Sequence, residues 1–527
     1  MAHSKERLTK AGDYSLDVAE LLSYKITSGG HPPHGENAPY RVDIKPIILQ
    51  IELQESIFSQ SMVGKIQVYD TKDVRTLLPI VGLERLNLKF HTPGLTGINA
   101  VVNSGNVYGH PFHIYKIEAV APDTKTVGAG AQVYDIYFCS RESYFNNMRK
   151  VSKAYTGQVE IGVEDIFKNK RYLSSKKDLY FEPTKKSNSR LVVPNVKPFE
   201  AIAMLAKKAV SEKYENAGYL FYETKEGYQF RSIESLLAVA GSIARPAKFK
   251  YVYQMSNVRH HTGGKQIVQD LHGVYSWNLV KPVDVLNNLN EGGYGSKLIE
   301  HDMFNKTIST TEYDYFKDFG NHFHTEHSDG GKTSVKTPLP QMIFDDTTKG
   351  LNQAFDQKVM VKSSTSNIYD QQDPVLANTL YTLDSISAKH TTQKAISQRV
   401  LLSNGILELK VPGNSVLQAG DIISFDMPLM QPVGANKAIE SSPYWAGRYL
   451  IYDMKHIVNR IDDQYSIIIR CVKDTVPHPY VAEFNSWSHF AERKTHNLYK
   501  IDNELLGRIQ TSGELDGNKL PNKGIHG

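Results

Sequence analysis

From Tyr40 onward the sequence runs on a period of two, and that period limits the fold more than any other feature. Ile44 to Leu53 is rich in Ile and Leu with Gln and Glu between them. Gly64 to Tyr69 places Ile66 and Val68 on one side. Leu86, Leu88 and Phe90 alternate with Asn87 and Lys89, and Phe112 to Val120 continues the pattern. In Val133 to Cys139, Tyr134, Ile136 and Phe138 share a face. Runs of this kind, separated by Gly and Pro over roughly 100 residues, predict a small antiparallel barrel or sandwich at 40–142.

Composition narrows the class. The chain has 527 residues, of which 40% are hydrophobic, 10% aromatic and 22% charged. It is long enough to bury a large core without staples, which excludes a disordered chain, a collagen-like fibre and a disulfide-rich mini-protein. A net charge of +5 is too weak to argue for nucleic acid by itself. Thirty tyrosines against three tryptophans suit β-structure and wet interfaces. Cys139 and Cys471 both lie in apolar, strand-like stretches and are expected to be reduced core thiols, in keeping with assembly in a cytoplasm. The N-terminus leads into polar sequence without a signal-peptide core, and no apolar run is long enough to span a membrane.

Other textures flank this region. Residues 1–39 read as an arm in which Leu16, Val18, Ala19, Leu21 and Leu22 form a short helix, followed by a Gly- and Pro-rich link. Residues 143–258 read as an α+β domain. There Tyr144–Tyr155 and Val163–Asn169 look helical, and Phe199–Tyr214 is the clearest amphipathic helix, with Ile202, Leu205, Ala206, Ala209 and Val210 as its stripe. Tyr219–Tyr222 and Tyr228–Phe230 form a hairpin across Glu226-Gly227, with a helix at Ile233–Val239 beyond it. A second β-rich unit is expected from 259–290 and 376–476, with a helix at Ser387–Leu402. Residues 291–375 are polar and irregular, an insertion associated with the middle domain, and 477–527 form a polar extension. The fold class is therefore mainly β with α: two antiparallel β-domains around an α+β middle, with extensions at both ends.

Catalytic signatures are hard to find. Gly128-Ala129-Gly130 and Gly292-Gly293-Tyr294-Gly295 lack the residues of a phosphate loop and read as turns. No Gly-x-Ser-x-Gly elbow occurs, and Cys139 sits in mid-strand. Asp345-Asp346, Asp462-Asp463 and the pair Glu52 and Glu55 read as solvated carboxylates; the basic stretches Lys168–Lys177 and Lys185–Lys186 read as solvated faces, which also suit an acidic partner or a DNA channel. The sharpest metal grouping is His322, His324 and His327, with Glu326 beside them. No second cluster completes a site, so these residues read as a solvated loop or a subunit contact. His31, His34, His260 and His261 carry less. The expectation is no metal, no cofactor and no catalytic residue.

Turn chemistry near the C-terminal strands says more. Lys410-Val411-Pro412-Gly413-Asn414-Ser415 leads to Leu417-Gln418-Ala419-Gly420-Asp421-Ile422, where Gly413 and Gly420 are suited to positive φ. Trp445-Ala446-Gly447-Arg448-Tyr449-Leu450-Ile451 then runs to Lys455-His456. This pattern resembles the closing strands of the tail-tube fold in phage tail hubs. Leu53-Gln54-Glu55-Ser56-Ile57-Phe58, Gly64-Lys65-Ile66 and Leu78-Pro79-Ile80-Val81-Gly82 resemble the first tube-like domain of the baseplate central hub protein of contractile-tailed, T-even-like bacteriophages. Val151-Ser152-Lys153-Ala154-Tyr155, the helix at Phe199, Tyr228-Gln229-Phe230-Arg231-Ser232, Gly273-Val274-Tyr275-Ser276 and Tyr313-Asp314-Tyr315-Phe316 follow in the family's order.

The resemblance spans 40–476 and implies a structural virion protein of the tail baseplate, not an enzyme. It implies a homotrimer whose six tube-like domains make a pseudo-sixfold ring. Such a ring adapts the sixfold tail tube to a threefold central spike, with genomic DNA passing through its lumen during ejection. Tube or tube-initiator proteins dock above, the spike below and wedge proteins around, with no membrane span. The ring-forming surfaces are expected on the strands around Ile44–Glu55, Gly64–Asp70, Leu407–Ser424 and Tyr449–Val458. Two other classes stay in view. A virion-associated cell-wall-degrading enzyme requires a cleft with a raised-pKa Glu or a metal at the histidines. A host-receptor-binding β-domain protein requires exposed aromatic platforms.

Overall fold

The structure is a computed structural model. It describes residues 8–23, 40–72, 74–78, 80–95, 101–104, 111–120, 132–185, 190–214, 216–239, 243–253, 267, 270–281, 284–302, 306–326, 337–338, 355–364, 388–402, 405–427, 442 and 444–476. The strands in chain order begin with β1 (Ser15–Ser23), β2 (Tyr40–Asp43), β3 (Ile48–Ser56), β4 (Val63–Asp70), β5 (Arg85–His91), β6 (Val101–Asn103), β7 (Phe112–Val120) and β8 (Gln132–Cys139). The middle of the chain adds β9 (Val151–Thr156), β10 (Leu179–Phe181), β11 (Arg190–Val196), β12 (Tyr219–Thr224), β13 (Gly227–Ser232), β14 (Ala238–Val239), β15 (Ile243–Ala244) and β16 (Phe249–Val252). Then come β17 (Ser276–Lys281), β18 (Gly295–Asp302), β19 (Thr307–Asp314), β20 (Thr337–Pro338), β21 (Val359–Ser364), β22 (Ile406–Pro412), β23 (Ile422–Asp426), β24 (Gly447–Asn459), β25 (Gln464–Val472) and β26 (Thr475–Val476).

Fourteen of these strands form one sheet, ordered β17-β22-β25-β24-β3-β4-β8-β7-β5-β1-β2, with β6 on β5, β23 on β24 and β16 on β23. The period of two explains the core. Leu86, Leu88 and Phe90 of β5 point inward with Ile51 and Leu53 of β3, Ile66 and Val68 of β4, and Ile136 and Phe138 of β8. The same buried cluster continues through Leu407, Leu409, Ile423, Phe425, Ile467 and Ile469. Burying each such side chain contributes about 1.5–3 kcal/mol. Both β-units therefore share one apolar interior, and the protein is a mainly β, α+β fold.

The middle of the chain packs separately. Helices Val159–Lys168 and Pro198–Ala206 lay Val163, Ile166, Phe167, Ile202 and Leu205 against Phe221, Tyr228 and Phe230 of the β12–β13 hairpin. The second helix is shorter than its apolar stripe; Ala209 and Val210 are buried beyond its end. Helix Arg141–Met148 also stops early, because Val151 starts β9, which pairs with β11. Helix Ala388–Leu401 falls where expected.

Several expectations need correction. Leu16–Leu22 is strand, not helix: β1 pairs with β5 and β2 inside the first β-domain. A bulge between Leu16 and Val18 breaks the strand period, so the apolar spacing imitates a helix. The arm's described residues are therefore part of the wall, and the carbonyl of Gly12 accepts from the Tyr465 amide at 2.7 Å. Residues 291–375 are not irregular throughout, since β19, β18 and β21 form a three-stranded sheet. The threonines of β19 carry strand propensity without hydrophobicity. β16 pairs in parallel with β23, so 249–252 belongs with the second β-unit rather than the middle domain. Residues 477–527 lie outside the described residues.

Gly420 takes φ +89°, and a Cβ there would stand 2.7 Å from the Tyr222 hydroxyl. Gly413 does not need positive φ; it needs space, because a Cβ would fall 1.9 Å from the Tyr465 ring. We expect Gly420→Val to lower stability by about 2–5 kcal/mol, from backbone strain plus overpacking. A thermal midpoint equal to that of the unaltered chain would contradict this assignment.

Candidate functional site

Strand β24 carries the join between the two β-domains. Its first half pairs with β23, from Phe425↔Gly447 to Ile422↔Leu450, and its second half pairs with β3, from Asp453↔Ser56 to Asn459↔Gln50. β25 lies along its other side from Leu450↔Val472 to Asn459↔Gln464. A bulge between Ile451 and Asp453 marks the change of partner. The Tyr452 carbonyl there accepts from the Ile57 amide at 2.9 Å and from the Ser56 hydroxyl at 3.0 Å, both in the first domain.

One face of this seam is core, the other polar. Along the polar face Lys455 meets Glu52 at 2.7 Å, Lys65 meets Asp135 at 3.3 Å, and Lys116 meets Glu118 at 2.8 Å. Arg470 bridges Glu408 at 2.8 Å and Asp453 at 3.8 Å, and Gln54 donates to Asp453 at 2.9 Å. Burial works against the charge of Lys65, but Glu52 and Asp135 outweigh it and raise its pKa. Cations and carboxylates interleave, so the face has no dominant sign. Glu52 and Glu55 lie on opposite faces of β3: Glu52 is on this surface, while Glu55 is buried with its Oε1 3.8 Å from His456 Nε2. They are not a catalytic pair.

These strands were expected to form the ring contacts. β3, β4, β22, β23 and β24 each have neighbours on both sides within the chain, so their backbone edges are already used and only their faces are open to such contacts. Among the described residues the main path of the sheet ends at β17 and β2, with β6 and β16 as further edges.

Buried charges tie the middle domain to the β-units. Lys177 lies between Glu223 and Glu142, whose Oε2 is 3.3 Å away, and the Met62 amide donates to Glu223 at 2.8 Å. Burial opposes the Lys177 charge, and the two carboxylates outweigh it, holding the ammonium protonated. Lys225, at the β12–β13 turn, is buried and donates to the Ser415 carbonyl. Burial pulls its pKa down to about 8. No sequence signal marks these residues, because charged side chains default to the surface.

The histidine segment is buried, not a solvated loop. His322 Nδ1 lies 2.8 Å from Glu234 and Nε2 3.1 Å from Asp318, which also meets Lys394 at 2.8 Å. His324 Nδ1 lies 2.7 Å from Asp474 and Nε2 2.9 Å from the Phe319 carbonyl. Every ring nitrogen of the two already has a partner, and their ligands differ, so the structure does not bring them together around a metal. Phe323 between them packs on Tyr214 at 5.7 Å. A cavity of about 20 Å³ beside them, lined by Ile233, Leu237, Leu401 and Asp474 among others, has room for one water. His327, His31, His34, His260, His261, Asp345 and Asp346 lie outside the described residues. Cys139 and Cys471 are both free and buried. Burial raises the Cys139 thiol to about 11 and Cys471 further, which leaves neither poised as a nucleophile.

No protein-family model and no curated protein matches the sequence. Solved structures are similar at low identity. A tail protein from Neisseria meningitidis MC58 aligns with a TM-score of 0.45 at 8% identity, over 88% of this chain and 97% of that one. The 43 kDa tail protein of prophage MuSo2 from Shewanella oneidensis aligns at 0.44 and 7%, over 86% and 98%. The E. coli c3393 protein aligns at 0.36 and 10%, over 82% and 75%. It is described as a type VI secretion system component with structural similarity to the T4 bacteriophage tail proteins gp27 and gp5.

The His322 cluster has a definite pH signature. Burial disfavours the imidazolium, but Asp318 and Glu234 outweigh it and raise the pKa above 6.5. That stabilisation is complete below 6.5 and fades as pH rises through the raised value. Asp318 is driven the other way. Burial pushes it up, but hydrogen bonds from His322, Lys394 and Asn321 hold it well below the usual range, so its contribution is lost only in strong acid. We expect His322→Gln to cost about 1–3 kcal/mol near pH 6 and clearly less near pH 9. A cost independent of pH, read from thermal midpoints, would refute the charged cluster.

Proposed function

We propose that this chain is the structural hub of a contractile phage-tail baseplate. Three copies form a pseudo-sixfold ring between the sixfold tail tube and a threefold spike. The observation that carries this reading is the β3–β24 seam. It fuses two β-domains of one chain into a single wall, so three chains supply six wall segments. The wall has unlike ends at β17 and β2, as a head-to-tail closed ring requires. The ordered sequence signatures from 40 to 476 support the same reading.

In this role the chain performs no chemistry. Its working parts are the wall, the extensions that meet the spike, tube-initiator and wedge proteins, and a lumen that passes DNA. A polar face of balanced charge suits the last task, because a strongly cationic one would bind phosphates and slow transit. The ring would be assembled in the host cytoplasm and carried in the virion.

The purified chain, at 59.3 kDa, should run as a species of three times that mass, about 178 kDa, by native mass measurement. A monomer that persists in the presence of its virion neighbours would overturn the proposal.

A further inference from the structure

Three separate devices aim apolar side chains outward at one corner of the first β-domain. The first is the loop before β5. The buried Glu84 carboxylate accepts from three successive amides, Val81 at 3.1 Å, Gly82 at 2.9 Å and Leu83 at 3.1 Å. Val81 and Leu83 are left 66% and 62% exposed, while Leu78 and Ile80 behind them are buried. The second is Gly82, at φ +92°, whose missing Cβ would lie 3.7 Å from the Tyr115 carbonyl. The third is a bulge between Ile114 and Lys116 of β7, which leaves Tyr115 50% exposed beside the loop. Single exposed aliphatic residues need no explanation. A bulge, a left-handed glycine and a buried carboxylate converging on one group do, since each carries a conformational or desolvation cost.

The patch continues onto helix Arg141–Met148. Tyr144 stacks on His113 at 5.0 Å, and Met148, one turn along, is 67% exposed. Phe145 lies between the guanidinium groups of Arg141 at 4.0 Å and Arg149 at 4.7 Å. Arg141 donates to the Leu173 and Ser174 carbonyls, and Arg149 to those of Lys170 and Tyr172. Among the described residues neither forms an ion pair with a carboxylate. Burial lowers the Arg141 pKa, and Arg85 and Arg149 add to this; the neighbouring Glu142 works against it but is itself paired with Lys177. Tyr, Phe, Met and Arg are the residues enriched at protein interfaces.

We propose that Val81, Leu83, Tyr115 and Met148, flanked by Arg141 and Arg149, form a docking site for a protein segment in which aliphatic and acidic side chains alternate. The aliphatic groups meet the fixed prongs, and the carboxylates supply the countercharge with which the arginines form no ion pair among the described residues. An anionic bilayer offers similar chemistry, but inserting into lipid does not call for prongs held at fixed geometry, whereas a protein pocket rewards such preorganisation. The site stands whether or not the chain forms a ring.

The test uses the full chain with the photoreactive residue p-benzoylphenylalanine in place of Leu83. The probes are three short peptides: alternating Leu and Glu, alternating Leu and Lys, and alternating Ser and Glu. The Leu/Glu peptide should cross-link with a yield about tenfold above the other two, a difference of about 1.4 kcal/mol. Met148→Glu, an exposed change, should remove that preference while leaving the thermal midpoint unchanged. Equal yields for the three peptides, or a preference that survives Met148→Glu, would overturn the proposal. So would co-sedimentation with phosphatidylglycerol vesicles that Met148→Glu abolishes, which would assign the patch to a membrane.

Discussion

The pairing of β24 with β3 is the constraint on which the rest of the architecture depends. A strand of thirteen residues is long enough to serve two partners in succession, and the bulge at Tyr452 lets it do so without breaking the sheet. The carbonyl freed by the bulge is taken up by Ile57 and Ser56, so the change of partner leaves no buried acceptor unsatisfied. Because the core runs under both domains without a gap, the domains cannot move as independent bodies without exposing apolar surface.

Buried charges fix the third body to this wall. Lys177 with its two glutamates and Lys225 with the Ser415 carbonyl sit where the middle domain meets the β-units. Ion pairs in such places add little net stability over apolar packing, but breaking one by removing a partner costs several kcal/mol. They act as registration marks: an apolar interface tolerates sliding, while a lysine that must find two specific carboxylates does not. The His322–Glu326 segment does the same for the inserted module, fastening it to Glu234 on one side and to Asp474 and Lys473 on the other.

Much of the wall was legible in the sequence because strand burial has an exact period. β3, β4, β5, β7 and β8 lie where alternation put them, and β22 to β25 fall within the β-rich stretch expected at 376–476. β1 was misread because a single bulge converts strand spacing into helix spacing. β18, β19 and β21 were missed because their alternation is inverted: Ser296 and Glu300 are buried, while Ile308, Val359 and Val361 face outward. The seam itself was not legible, since β24 and β3 are about four hundred residues apart and no local pattern encodes which edge meets which. The histidines stand out in the sequence, but their partners Glu234 and Asp474 come from distant segments, so sequence suggested a loop where the fold built a buried network. Glu84 and its three amides show the same limit. A single glutamate before a strand gives no sign that it organises a surface.

Electron-microscope class averages of the purified chain test the central claim most directly. The account predicts a threefold-symmetric particle with six β-lobes, alternating in kind, around an open central hole. A compact particle without a hole, or a ring in which each chain contributes one lobe, would contradict it.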